Sequence, residues 1–210
     1  AGYYDDSGAL RDMLQSHLLQ MLTLVAMEPP PALDAESLRD EKVKVLKSIR
    51  PIPKHAVHAH AFRAQYASGN VDGLKLPGYL EEKGIPPMST TETYASLKLY
   101  VDNWRWRNVP FYLRTGKRMA QNSSLISIRF KHPPQQLFRE TPLENIEPNW
   151  IVLSIQPNEC MHMEIHAKQP GLDMNTRTVK LVASYREEDE QPLEAYETLL
   201  LDVIEGDRSL

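Results

Sequence analysis

The arrangement of apolar and polar residues changes period partway along the chain. From Gly8 to Met27, Leu10, Met13, Leu14, Leu18, Met21, Leu22 and Val25 recur at spacings of three and four, with His17 in the same stripe. That spacing predicts one amphipathic helix. Pro29, Pro30 and Pro31 stop it, because proline lacks the amide a helix interior needs. A second helix is predicted over Ala35–Ile49, capped by Asp34, with Leu38, Val43, Leu46 and Ile49 on one side. Pro51 and Pro53 lie beyond its end, and the stretch up to about Pro87 reads as irregular, with turn signals at Ser68-Gly69-Asn70 and Asp72-Gly73.

After Pro87 the period falls to two. Thr91, Thr93, Ala95, Leu97, Leu99 and Val101 alternate with Glu92, Tyr94, Ser96, Lys98, Tyr100 and Asp102. This predicts an antiparallel strand with one buried face. Further strands are predicted at Phe111–Leu113, Leu125–Phe130, Trp150–Gln156, Met161–Ala167 and Thr176–Tyr185. A last helix, Pro192–Glu205, sets Leu193, Tyr196, Leu200 and Val203 on one face ahead of Gly206, a residue suited to a C-cap. Helices followed by a run of strands predict an α+β fold, a large, mostly antiparallel β-sheet with helices packed on one face.

Composition narrows the function classes. The chain has 210 residues, 41% hydrophobic and 25% charged, which excludes wholesale disorder and the collagen-like and coiled-coil classes. Lys+Arg 24 against Asp+Glu 28 leaves a net charge of -4, so neither nucleic acid nor a membrane surface is expected as a partner through bulk charge. The longest nearly apolar stretch, Leu18–Met27, is too short for a bilayer, which takes about 20 residues. A single cysteine, Cys160, excludes an internal disulfide and a cysteine-based zinc site, and fits a reducing, cytoplasmic setting. The first residues lack the features of a signal peptide and no Met stands at position 1, so the chain is expected to begin inside something longer.

Three groups of residues carry candidate chemistry. On the pattern alone His17, flanked by Met13, Leu14 and Met21, reads as a hydrogen-bonded core histidine; the alternative is a general base. Asp12 stands five residues earlier, which on an α-helix turns the two side chains about 140° apart with a rise of about 7.5 Å. They are expected to face a substrate along one flank without touching. Arg114, Lys117 and Arg118 surround Gly116 at a strand end. The pattern favours a solvated turn; the alternative is contact with phosphate or sugar oxygens, for which the glycine would admit the ligand to the backbone. His162, Glu164 and His166 share one face of a strand, and His55, His58 and His60 cluster locally. Zinc is conceivable, but an exposed or interface-lining face is favoured, with Met161, Met163, Ile165 and Ala167 on the core side. The acidic run Arg186–Glu190 reads as a solvated hairpin loop.

Specific segments then resemble one family. They are Gly2-Tyr3-Tyr4-Asp5, Gly8-Ala9-Leu10-Arg11-Asp12-Met13, Gln15-Ser16-His17-Leu18-Leu19-Gln20, Gln65-Tyr66-Ala67-Ser68-Gly69, Thr91-Glu92-Thr93-Tyr94, and the run from Arg105 through Val109-Pro110-Phe111 to Thr115-Gly116-Lys117. Ile155-Gln156-Pro157-Asn158-Glu159, Lys168-Gln169-Pro170-Gly171, Glu194-Ala195-Tyr196-Glu197 and Leu201–Asp207 continue the match in the same order. Together they closely resemble the glucose-6-phosphate dehydrogenase family over essentially the whole chain.

The resemblance implies that residues 1–210 are its C-terminal, substrate-side domain. The family's upstream Rossmann domain, its Arg-Ile-Asp-His-Tyr-Leu-Gly-Lys motif and its final segment are not in this sequence. By position, His17 matches the base that takes the proton from the C1 hydroxyl of glucose 6-phosphate. The hydride goes to the nicotinamide of NADP, giving 6-phosphogluconolactone. Asp12 matches a carboxylate that binds sugar hydroxyls, Lys117 a substrate-binding lysine, and Arg114 a contact to a second, structural NADP in some members. The family also dimerises through this domain, so a homodimer or higher homo-oligomer is implied. A non-enzymatic assembly module is the rival reading. Five positions depart: Ser16 where Asn is usual, Asn108 where Gly is common, Asn122 in place of a basic residue that contacts substrate, and uncharged Ser123 and Ser127 where members with the second NADP site are basic.

Overall fold

Gly8 interrupts the first helical segment instead of starting it. In the computed structural model, which describes residues 2–71, 73–132, 147–185 and 195–206, helix α1 spans Gly2–Ala9 and breaks at Gly8 (φ 70°, ψ 169°). That conformation is open to glycine almost alone, and a Cβ there would lie 2.7 Å from Oε1 of Glu92. A π-helix, Leu10–Leu18, follows, and α2, Leu19–Ala26, completes the segment. One helix was expected here; three pieces stand in its place.

The prolines end α2 as expected, with Met27 extended. Asp34 caps α3, Ala35–Lys47, accepting from the amides of Glu36 and Ser37 at 3.1 and 2.9 Å. The stretch expected to be irregular holds short elements: α4 (Val57–His60), β1 (Ala61–Ala64), β2 (Gly69–Val71) and β3 (Leu74–Leu76). Strand β1 shows no burial alternation and leaves no period to read. It exists because it pairs antiparallel with β4, Tyr94–Tyr100, which pairs in turn with β5, Pro110–Gly116. Then come β6 (Ser124–Arg129), β7 (Trp150–Gln156), β8 (Cys160–Lys168) and β9 (Thr176–Ser184), and finally α5 (Ala195–Glu205).

The class is α+β, and the described strand pairs are antiparallel. The strands after Pro87 do not share one sheet, however. They divide between a three-stranded sheet, β1-β4-β5, and a four-stranded sheet, β6-β7-β8-β9, with β2-β3 as a separate hairpin. Two compact units result. One comprises Ala1–Ala120 with Glu194–Leu210; the other is Gln121–Leu193.

In the first unit the predicted face of β4 is the buried one. Ala95, Leu99 and Val101 are almost inaccessible, and Leu99 and Val101 pack with Leu22 and Ala26 of α2 and Val45 of α3. Trp106 pins the end of α2, its indole donating to the Ala26 carbonyl at 2.9 Å. Asn108 takes φ 63°, a left-handed conformation in which glycine is ideal and asparagine tolerated. This explains how Asn108 stands where the family commonly has Gly. Helix α5 ends at Gly206 (φ 72°), the expected cap residue, but Tyr196, Leu200 and Val203 are exposed. Its expected first residues, Leu193 among them, and the acidic run Arg186–Glu190 lie outside the described residues.

In the second unit the expected core side of β8 is not buried. Met161, Met163, Ile165 and Ala167 are half-buried, and so are His162, Glu164 and His166. Among the described residues of the unit, the sheet forms its ladder and no helix is present to cover either face. His162 and Glu164 approach to 3.6 Å, and the His166 amide donates to Asn149.

Candidate functional site

The π-helix decides the geometry of the two helical candidates. The Leu19 amide donates to the Leu14 carbonyl, five residues back, and the Ser16 hydroxyl donates to the Arg11 carbonyl across the same interval. A turn closed over five residues brings residues five apart close to one face. Asp12 and His17 therefore share a side of the helix, and the separation of about 140° that holds for an α-helix does not apply. The same widening explains the exposure of His17. Leu10, Leu14 and Leu18, four apart, stay on the inner face and pack with Ala9, Ala95, Leu97 and Leu113. His17, three residues beyond Leu14, swings out of that stripe, so it is an exposed residue and not the core histidine that the spacing favours. Asp12 is half-buried.

Glu92 holds the start of this helix. Its carboxylate accepts the Leu10 amide at 2.9 Å, and its backbone carbonyl accepts from the Ala9 amide and the Tyr4 hydroxyl, both at 3.1 Å. Arg63 approaches the same carboxylate at 3.8 Å. Read from alternation, Glu92 belongs to the polar face of a strand. In the fold it is buried and caps a helix 82 residues earlier. The flanking threonines join in, Thr91 donating to the Asp5 carbonyl and Thr93 accepting from the Tyr66 amide. These duties shorten the strand, which starts at Tyr94 instead of Thr91.

Lys117 follows the last residue of β5 and is exposed. Its amide donates to the Thr93 carbonyl at 2.9 Å, and its Nζ lies 3.9 Å from the centre of the Tyr4 ring. Gly116 before it is required by packing: a Cβ there would come within 2.7 Å of the Tyr94 ring and 2.9 Å of Met119 Sδ. The close neighbours of this glycine are thus the protein's own side chains. After it, Arg118 adopts φ 53° and ion-pairs with Glu82.

Tyr4, Tyr66, Tyr79, Glu82, Lys117 and Arg118 line a cleft of about 250 Å³. Burial pushes the Tyr4 hydroxyl up to about 12, with the charges of Glu92 and then Asp12 adding to it, so the phenol stays neutral. Burial likewise raises the Tyr79 hydroxyl, helped by its bond to Asp5. Hydrogen bonds from Ser89 and Tyr79 hold Asp5 below the usual carboxylate range. The Tyr66 hydroxyl and then Arg118 do the same for Glu82.

The Lys117 ammonium thus stands over the Tyr4 ring, and the charge of Asp12 reaches the Tyr4 hydroxyl. Arg114 is not part of this group. It lies exposed on β5 opposite Ser96, on the face away from Leu113, which packs beneath the π-helix. Sequence reasoning missed Tyr4, Tyr66, Tyr79 and Glu92 as members of the site. Tyr4, Tyr66 and Glu92 stood inside recognisable segments; nothing in the pattern around Tyr79 distinguishes it. Among the described residues no group of three or more His, Cys, Asp or Glu side chains is gathered to hold a metal.

Comparison with known proteins bears on all of this. The family model described as glucose-6-phosphate dehydrogenase, C-terminal domain, matches residues 1–210. Glucose-6-phosphate 1-dehydrogenase of Aggregatibacter actinomycetemcomitans is 46% identical over 210 residues, covering 100% of this chain and 42% of that protein. The Gluconobacter oxydans enzyme of the same name is 48% identical over 209 residues, covering 99% and 42%. The chain therefore spans well under half the length of these relatives. A solved glucose-6-phosphate dehydrogenase in complex with its substrate glucose-6-phosphate superposes with a TM-score of 0.85 at 39% identity, over 99% of this chain and 41% of that one. The crystal structure of glucose-6-phosphate 1-dehydrogenase from Mycobacterium avium gives 0.78 at 35% identity, over 99% and 41%.

Proposed function

The chain belongs to the glucose-6-phosphate dehydrogenase family, matching its C-terminal domain, and on that premise we propose that it supplies the substrate side of an NADP-dependent oxidoreductase. The reaction is oxidation of D-glucose 6-phosphate at C1 to 6-phospho-D-glucono-1,5-lactone, the first step of the oxidative pentose phosphate pathway, in the cytoplasm. The observation that carries the reading is the π-helix, which sets Asp12 and His17 on one side, with the Lys117 ammonium over the Tyr4 ring and the charge of Asp12 reaching the Tyr4 hydroxyl.

In this reading His17, exposed and free of the apolar stripe, takes the C1 hydroxyl proton onto a ring nitrogen. Asp12 accepts hydrogen bonds from sugar hydroxyls and orients the ring. Lys117 donates to substrate oxygens as a compact charge. NADP, when bound, accepts the hydride released at C1. A second NADP is not part of this reading: the cross-strand partner of Arg114 is Ser96, and Ser123 and Ser127 are uncharged where the resemblance expects basic residues for that site. The coenzyme is assigned to a region outside these 210 residues, and the stretch alone is expected not to turn over.

The test uses an enzyme of the relatives' full length. His17→Asn should lower kcat by roughly 10²–10⁴-fold with little change in KM, because only proton transfer is removed. Lys117→Ala should mainly raise KM. A His17→Asn enzyme that keeps most of its turnover would overturn the assignment.

The four-stranded sheet supports a homodimer within the same proposal. Leu125 and Val182 are exposed on the face that carries His162, and Ile128 and Leu181 on the opposite face, and an isologous contact would cover the first of these. A second copy would bury at least about 1,000 Å² in total, across a two-fold axis. Sedimentation equilibrium at micromolar concentration is the check, and a clean monomer would count against it.

A further inference from the structure

Of the two successive cations at the end of β5, one is neutralised and the other is not. Arg118 pairs with Glu82, which also accepts the Tyr66 hydroxyl at 2.8 Å. Among the described residues no carboxylate comes within ion-pair distance of the Lys117 ammonium. Yet Lys117 is not loose. Its Nζ stands 3.9 Å from the Tyr4 ring centre, the closest of the described cation–ring contacts. A ring face attracts an ammonium through its quadrupole while leaving its charge uncancelled. A carboxylate would hold it too, but would compete with any anionic ligand.

Tyr4 is itself fixed. It is 8% exposed, and its hydroxyl donates to the Glu92 carbonyl. Its ring meets Tyr79 edge-on at 6.4 Å and 84°, and Tyr79 meets Tyr66 at 5.6 Å and 74°. Tyr66 carries the Arg118 guanidinium at 5.2 Å. Three tyrosines thus form a rail with a cation at each end, and the Arg118–Glu82 pair anchors the backbone next to Lys117. An exposed lysine would otherwise spread over many rotamers of its four-carbon stem.

We propose that Tyr4 is a positioning residue, whose ring face holds the Lys117 ammonium, charge intact, where it meets an oxygen-rich anionic substrate of the sugar-phosphate class. This rests on the reading of Lys117 as a substrate contact. Tyr4 acts through Lys117 and touches no reacting atom.

The test compares Tyr4→Phe, Tyr4→Leu, Lys117→Ala and the double variant Tyr4→Leu/Lys117→Ala in the full-length enzyme, with glucose 6-phosphate as substrate. Tyr4→Leu should raise KM roughly twofold to fivefold, the range expected of an exposed cation–ring contact, while kcat moves less. Tyr4→Phe, which keeps the ring, should restore most of the KM. In the Lys117→Ala background the Tyr4→Leu effect on KM should vanish, because the pair is coupled. An undiminished effect there would show that Tyr4 acts only on folding, and would overturn the proposal. So would an unaltered KM in Tyr4→Leu when Lys117→Ala alone raises it, an outcome that leaves the role of Lys117 standing. If Lys117→Ala leaves KM unmoved, the substrate-contact reading itself falls, and the proposal with it. Should Tyr4→Leu fail to fold, fluorinated phenylalanines at position 4 keep the shape while weakening the ring's negative face. KM should then climb with each added fluorine, and a flat series would overturn the proposal.

Discussion

The two antiparallel sheets of this chain are built from similar strands and end in different states. In the three-stranded sheet, β4 and the residue after it send Ala95, Leu99 and Val101 under α2, α3 and the π-helix, and those residues are at most 6% exposed. In the four-stranded sheet no described strand residue is buried, and Leu181 and Val182 stand 54% and 64% exposed. Both sheets are joined by antiparallel ladders, so the difference among the described residues lies in cover. A ladder fixes where strands run, and apolar burial supplies most of the stability that holds side chains in place. Asp12, His17 and Lys117 all belong to the covered unit, where a packed layer fixes the backbone that carries them.

The sharpest way to break this comparison is a matched pair of truncations. Leu22→Ala, in the covered core, should cost about 2–5 kcal/mol in urea unfolding of the 210-residue chain. Leu181→Ala, on the open sheet, should cost less than about 1 kcal/mol. Equal losses would break the comparison. A Leu181→Ala loss that grew with protein concentration would instead mean that another copy covers the sheet.

Gly8→Ala is expected to come next, at about 1–3 kcal/mol, because it forces a side chain into a conformation nearly reserved for glycine and against Glu92. Thermal unfolding measures the loss. Amide exchange should show it concentrated in Leu10–Leu18, with β6–β9 unaffected.

A further effect appears only in alkali. The Tyr4 hydroxyl is pushed up to about 12 in the fold from an ordinary value of 10.0. The unfolded chain therefore ionises first as pH rises. The stability Tyr4 contributes is complete below pH 10 and is lost on the way to about pH 12. Tyr4→Phe should flatten that decline between the two values in a stability–pH series, while its behaviour near pH 8 relative to the parent chain stays constant. A decline of the same size in both proteins would show that Tyr4 is not its source.

Much of the scaffold could be read directly. Asp34 caps α3, the three prolines close α2, and the alternation through Val101 names the buried face of β4. Each follows from chemistry local to a few residues. Asp12, His17 and Lys117 could be named because their segments resemble a family, not because of their spacing, which favoured a core histidine and a solvated turn. The misreadings share a cause. Spacings of three and four imply an ordinary helical turn, which puts His17 in the apolar stripe and about 140° from Asp12. The hydrogen bonds that widen this turn leave no mark on residue types.

What the sequence determined by itself, then, is the set of elements, their caps and the chemical groups available. Tertiary structure alone decided how those groups meet. Glu92 reaches the Leu10 amide from 82 residues away, and the Tyr4 hydroxyl is anchored 88 residues along the chain. Tyr79 and Tyr66 gain their meaning only from the ring between them and Lys117. The physical reason is range. Propensity, capping and periodicity act within a turn or two of the chain, whereas burial, ring contacts and long-range hydrogen bonds exist only once distant segments have packed together.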